Sequence, residues 1–201
     1  VGYNNFDLPA FTRHGVMATN TPNVLNESVA DHAFALLLSA ARRICESERW
    51  LRAGHWKRWE FDQFPGADLH GRTLGIIGLG RIGHAIARRA TGFSMRVLYN
   101  DVARLPAEQE GGAQWASRDD LLRQADHVIV MVPYLPSTHH LIGEAELALM
   151  KPTAVFVNLA RGGVVDDAAL VRALRDGRLA GAGLDVFENE PQLNPGFLEL
   201  E

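Results

Sequence analysis

The segment Gly78-Leu79-Gly80-Arg81-Ile82-Gly83 has the spacing G-x-G-x-x-G. In such a run one glycine permits a tight turn, the next lets the backbone come close to a bound group, and the third lets a helix pack closely on a strand. The residues before it, from Leu74, form an apolar run, and residues 82–91 read as a helix stopped at Gly92. A strand-turn-helix of this kind offers free backbone N–H groups and the positive end of a helix dipole, which suits a pyrophosphate. The next strand ends at Asn100-Asp101. A carboxylate at that point accepts hydrogen bonds from ribose hydroxyls and repels a 2′-phosphate. If Asn100 held the position instead, Arg104 would be placed to receive such a phosphate.

Two further segments carry polar chemistry at strand ends. Asn158-Leu159-Ala160-Arg161-Gly162-Gly163-Val164-Val165-Asp166 sets an arginine just beyond an apolar strand, where open α/β sheets bind ligands. A guanidinium there can grip a carboxylate through two parallel hydrogen bonds, or it can brace the loop through backbone carbonyls; position alone leaves both readings open. Gly183-Leu184-Asp185-Val186-Phe187-Glu188-Asn189-Glu190-Pro191 ends another strand with three carboxylates. Asp185 falls at the strand end, Glu190 could orient a histidine and raise its pKa, and Glu188 reads as a solvated loop residue. His139-His140 reads as a surface pair without a third ligand, and His84 as a residue that packs or caps at the glycine turn. No metal site is expected.

These residues need a scaffold, and the hydropathy pattern supplies one. Apolar strands are expected over 74–78, 96–100, 127–132, 154–159 and 180–187. They alternate with helices over 82–91, 118–124, 144–150 and 166–176. That alternation predicts an α/β domain, a doubly wound parallel sheet with helices on both faces. Upstream, a short helix over 8–14 ends at Gly15 and a strand follows over 16–19, before Thr21-Pro22 breaks the chain. A long helix is expected over 26–54, from Asn26 to Gly54, with Ser28 and Asp31 spaced as a capping box. Its stretch 33–41 is apolar except for Ser39, which implies burial all round, between layers or between subunits.

Composition bounds the partners. Of 201 residues, 47% are hydrophobic and 22% charged, enough apolar matter for a real core. A net charge of −4 gives no global pull toward nucleic acid or anionic membrane. Cys45 is the only cysteine, which excludes an internal disulfide and a cysteine-based zinc site and suits a reducing cytoplasm. No apolar run reaches the ~20 residues that span a bilayer. The sequence opens on Val1-Gly2-Tyr3 rather than methionine, so further chain is expected upstream.

Taken together, Gly78 to Gly83, Asn158 to Asp166 and Gly183 to Pro191, in this order and spacing, resemble the D-isomer-specific 2-hydroxyacid dehydrogenases. Thr21-Pro22 followed by Val29-Ala30-Asp31 is similar to the start of that family's coenzyme domain, and Val132-Pro133-Tyr134-Leu135 to its nicotinamide-side loop. The likeness is greatest to the glyoxylate/hydroxypyruvate and 2-ketogluconate reductases. It implies a Rossmann-type NAD-binding domain over 23–201, lacking its last strand, and a remnant of a flavodoxin-like substrate domain over 1–22. It also implies hydride transfer between NAD, rather than NADP, and a small 2-oxoacid. By resemblance Arg161 binds the substrate and Glu190 partners the catalytic histidine. Val1-Gly2 meets the substrate carboxylate. Gly78, Gly80, Arg81, Ile82, Gly83, Asp101, Val132, Pro133, Thr138, Leu159, Ala160 and Asp185 hold the cofactor. The family's histidine lies in a Pro-His-x-Gly segment about twenty residues beyond the glutamate, where this sequence has none, so the chain by itself is expected to be inactive. A homodimer through the 26–54 helix is expected, with no nucleic-acid or membrane partner. The rival readings are an NAD sensor without catalysis and a sibling dehydrogenase acting on phosphite or formate.

Overall fold

A computed structural model describes residues 2, 3 and 5–200. Six strands, β1 (Thr73–Ile77), β2 (Arg96–Asn100), β3 (Gln114–Trp115), β4 (His127–Val130), β5 (Val155–Asn158) and β6 (Gly181–Leu184), form one sheet. All pairs are parallel and the order is β3-β2-β1-β4-β5-β6. The chain moves outward in one direction from β1 to β3 and in the other from β4 to β6. Their C-terminal ends therefore open a crevice between β1 and β4, where such sheets take ligands.

Helices cover both faces. The chain contributes α1 (Leu8–Arg13), α2 (Asn26–Ala41), α3 (Ile44–Arg52), α4 (Arg81–Ala90), α5 (Arg118–Gln124), α6 (Glu144–Leu149) and α7 (Asp167–Arg175). Leu74, Ile76, Val97, Tyr99, Val155 and Val157 join α2 and α4 in one buried cluster. Ile77, Leu98, Val128, Val130 and Phe156 join α5, α6 and α7 in the other. Successive strand residues point to opposite faces and both faces of the central sheet are dry, so β1, β4 and β5 are buried almost throughout rather than alternating.

The expected 26–54 helix is two helices. Arg43 sits in the left-handed region at φ 53° and starts α3 in a new direction, its guanidinium bonded to Glu46 at 2.5 and 2.6 Å. The sequence there holds neither proline nor glycine, so nothing local advertised the break. At ~1.5 Å per residue, the 16 residues of α2 span about 24 Å. The capping box does not form: Leu25 is the N-cap, the Ser28 hydroxyl donates to the Leu25 carbonyl, and Asp31 pairs with Arg89 of α4. Within the chain α2 is buried along one side only. Ala30, Ala33, Phe34, Leu37 and Ala41 face the core, whereas Ala35 is exposed and Leu36, Leu38 and Ala40 are half-buried.

Residues 16–19 are not a strand; Val16 and Met17 are exposed, and Met17 is 90% accessible. Conversely β3 has no counterpart in the hydropathy pattern, because two exposed residues at a sheet edge leave no apolar run to read. Among the described residues no helix is long and apolar enough to cross a membrane.

Candidate active site

Geometry at the end of β1 tests the glycine turn directly. Gly78 adopts φ +100°, and a Cβ on it would lie 2.6 Å from the Met131 carbonyl oxygen on the chain leaving β4. At Gly83, inside α4, a Cβ would stand 2.3 Å from the Gly78 carbonyl oxygen. Any side chain at either place would pry the turn open. Gly80, by contrast, faces open space and caps α4 without a side-chain bond, so the helix's first N–H groups remain available for a phosphate. Arg81 is exposed at the start of α4 and Ile82 packs on the core. His84 closes the back of the turn, with Nδ1 2.9 Å from the Gly80 carbonyl and Nε2 2.6 Å from that of Gln109.

The carboxylate beside this turn belongs to Asp101. Its Oδ2 accepts from the Leu79 N–H and its Oδ1 from the Val102 N–H, both at 2.8 Å. Asn100 turns the other way, its side-chain amide donating to the Ala116 carbonyl at 2.9 Å. Arg104 is bound to Glu110 at 3.0 Å, and Glu110 also accepts from the Tyr99 hydroxyl. The Arg104 guanidinium holds the Glu110 carboxyl below its ordinary pKa. These residues fit an adenosine ribose with free hydroxyls.

Across the crevice, Val132 lies against Gly78. The Thr138 hydroxyl donates to the Pro133 carbonyl and accepts from the Leu135 N–H, each at 2.8 Å, which folds the loop after β4 onto itself.

The Arg161 loop is shaped by a residue given no role on sequence grounds. Asn158 ends β5 almost fully buried; its Oδ1 accepts from the Ala160 N–H and its amide donates to the Arg161 carbonyl. A lone polar side chain closing an all-apolar strand was the available signal. Leu159 and Ala160 are buried, and the Arg161 guanidinium donates to the Ala160 carbonyl at 2.7 Å, so part of it does brace the loop. Its side chain also lines a recess of about 250 Å³ with Tyr134, His139, Gly163, Glu188 and Asn189. A Cβ on Gly162 would lie 1.8 Å from the Phe187 carbonyl oxygen. The Arg161 loop and the loop after β6 therefore meet backbone to backbone.

Within that second loop, the Asp185 N–H donates to the Asn158 carbonyl, and its carboxylate stands 3.2 Å from His32 Nε2 of α2, a partner the sequence did not suggest. Glu190 is exposed and accepts from the Phe187 N–H at 2.7 Å; among the described residues no histidine bonds to it. Gly2 is exposed, and Val1 lies outside the described residues.

Glu188 is not the solvated loop residue expected. His140 Nε2 lies 2.6 Å from its Oε1, and its Oε2 accepts from the Asp167 N–H at 3.3 Å. In return the Glu188 N–H donates to Asp167 Oδ2 at 2.9 Å, and burial raises the Asp167 pKa. The histidine pair likewise has a third ligand in view, since His139, His140 and Glu188 bring one ligand atom each within 4.8 Å of one another. Chain distance concealed this, as Glu188 arrives from a different strand end.

Comparison with known proteins agrees with this geometry. The profile described as "D-isomer specific 2-hydroxyacid dehydrogenase, NAD binding domain" matches residues 34–201. The chain is 52% identical to a glyoxylate reductase of Thermococcus onnurineus and 50% identical to one of Pyrococcus furiosus, in both cases over its whole length. It spans 62% and 61% of those relatives. It superposes on a Thermus thermophilus protein at TM-score 0.93 with 44% identity, covering all of this chain and 63% of that one. A D-lactate dehydrogenase from Aquifex aeolicus, solved with NAD and lactic acid, matches at TM-score 0.84 and 35% identity over 98% of this chain and 62% of that one. The glycine cradle, the Asp101 carboxylate and these matches together place the chain in the D-isomer-specific 2-hydroxyacid dehydrogenase family, as its NAD-binding domain.

Proposed function

We propose that the protein containing this chain reduces a small 2-oxoacid of the glyoxylate, hydroxypyruvate or 2-ketogluconate type to the D-2-hydroxyacid. The observation that carries this reading is the backbone contact between Gly162 and Phe187, which brings the loops bearing Arg161 and Glu190 together at the strand ends. Bound NADH supplies the hydride. Arg161 offers its planar fork to the substrate carboxylate and polarises the adjacent carbonyl. Glu190 orients an acid–base histidine contributed from outside these 201 residues and raises its pKa, so that a proton is ready for the new hydroxyl. Asp185 and the backbone at Ala160 hold the nicotinamide carboxamide, and the loop through Val132, Pro133 and Thr138 lines the cofactor. Asp101 selects NAD over NADP.

In this reading residues 1–22 belong to a second, substrate-binding domain, in keeping with an α1 that buries none of its residues. The half-open flank of α2 and the exposed Trp59 and Phe61 serve a homodimer. Residues of the second domain belong to the substrate's surroundings, so a panel assay decides which 2-oxoacid is preferred. Full-length protein with NADH and glyoxylate, hydroxypyruvate or 2-ketogluconate should oxidise the cofactor with at least one of them. Tight NADH binding without turnover on any 2-oxoacid would favour the sensor reading instead.

A further inference from the structure

His139 and Glu188 line the recess that Arg161 lines, His140 stands beside them, and nothing in the proposed reaction uses the three. We propose that these three side chains form a binding site for a transition cation of the Zn²⁺ class. Two imidazoles and one carboxylate are a donor set that Zn²⁺ takes with a fourth position left open, whereas Ca²⁺ and Mg²⁺ demand oxygen ligands in greater number. Metal–ligand lengths of about 2.0–2.2 Å in a tetrahedron put ligand atoms about 3.4 Å apart. The observed spread is within 4.8 Å, and the His140–Glu188 pair stands at 2.6 Å. The two imidazoles stack with ring centroids 4.0 Å apart and 22° between their planes, so both rotate to aim a nitrogen at one ion, and both are exposed enough to turn.

Support from behind the ligands is already in place. The Tyr134 hydroxyl lies 3.2 Å from His139 Nδ1 and helps to orient that ring. The His140 N–H donates to the Gly163 carbonyl at 2.9 Å and anchors that residue. Glu188 is fixed through the Asp167 N–H. Such outer hydrogen bonds orient ligands and strengthen their hold on metal. Zn²⁺ in this place shares the recess with the Arg161 guanidinium and disturbs anion binding there. That consequence, unlike the site itself, rests on the substrate role proposed for Arg161.

The test is competition between the full-length protein and a chromophoric chelator for Zn²⁺ at neutral pH. One Zn²⁺ per chain is expected, undisplaced by excess Mg²⁺ or Ca²⁺. His139→Ala, His140→Gln and Glu188→Gln should each loosen it at least about tenfold, with His14→Ala, on the far exposed end of α1, leaving it intact. Glu188 also supports Asp167, so thermal melts accompany the series, and the exposed His139→Ala decides if Glu188→Gln fails to fold. No stoichiometric binding in the wild type, or equal binding in His139→Ala and His140→Gln, would overturn the site. Zn²⁺ inhibition of 2-oxoacid reduction, relieved by chelation and absent in His139→Ala, is the expected activity readout. Binding lost in the variants without any inhibition would leave the cation site standing and count against the substrate role of Arg161.

Discussion

Replacing Asp101 should change which dinucleotide the domain prefers, and the structure indicates by how much. Its carboxylate is held beside the glycine turn by the Leu79 and Val102 N–H groups, so it cannot swing away from an added 2′-phosphate without breaking them. Two unit charges about 4 Å apart repel by ~4 kcal/mol at an effective dielectric near 20. Asp101 is partly exposed, so solvent screening removes much of this. A remainder of ~1.4 kcal/mol already gives a tenfold preference for NADH over NADPH, which is the least we expect. Arg104 does not offset it, being committed to Glu110 at 3.0 Å. Asp101→Ser removes the repulsion and also a charge-assisted hydrogen bond to the ribose, worth roughly 1.5–3 kcal/mol. NADH should therefore weaken by about tenfold or more, with NADPH changing much less. The single variant should level the preference rather than reverse it. Reversal needs a cation, and Val102, whose side chain is wholly exposed at 103% accessibility, accepts Arg without disturbing any packing. Titrating tryptophan fluorescence of wild type, Asp101→Ser and Asp101→Ser/Val102→Arg with both reduced cofactors measures all three steps. Tighter NADPH binding by the wild type, or an unchanged ratio in Asp101→Ser, would refute the assignment.

Other perturbations follow from the same geometry. Gly83→Ala drives a methyl to 2.3 Å from the Gly78 carbonyl, so it should cost ~3 kcal/mol, lower Tm by about 6–12 °C and abolish NADH binding; a stable, NADH-binding Gly83→Ala would show that the turn yields freely. In the full-length protein Glu190→Gln should shift the acid–base limb of the kcat/KM profile to lower pH with NADH affinity nearly unchanged, and an unmoved profile removes Glu190 from the mechanism. His127 is the one buried histidine among the described residues; burial lowers its pKa and keeps it neutral, with Nε2 donating to the Asp68 carbonyl. The unfolded chain then binds more protons just below its ordinary pKa of about 6.5, so this contribution is complete above that pH and is lost as pH falls through it. Urea midpoints should drop between about pH 7 and 5.5 and drop less in His127→Gln, and equal slopes in both proteins would assign the effect elsewhere.

The centre of the sheet was legible because β1, β4 and β5 are buried on both faces, which writes each as an apolar run ended by Gly, Pro or a polar residue. Arg96–Asn100 needed no adjustment either, and the helix Arg118–Gln124 needed none because Ser117 caps its start. The break at Arg43 was invisible because its left-handed backbone is held by its own pair with Glu46, not by a residue type that signals a turn. The nucleotide turn could be read because its signals are close in sequence: three glycines, a strand before, a helix after, a carboxylate one strand on. The Glu188 cluster could not, since its members come from the ends of β4 and β6 and meet only once β5 is laid between them. The role of Asn158 is hidden for a related reason, since it fixes the backbone of a neighbour rather than facing a ligand.

In the proposed reaction Arg161 reads the substrate carboxylate beside a cofactor held by other residues. Arg161→Lys keeps the charge and discards the two-pronged fork, so its effect separates the two functions most directly. In the full-length protein, kcat/KM for the preferred 2-oxoacid should fall by about a hundredfold, equivalent to ~2.7 kcal/mol, with the Kd for NADH within about twofold of wild type. An unchanged kcat/KM, or a loss traced wholly to weaker NADH binding, would contradict the account.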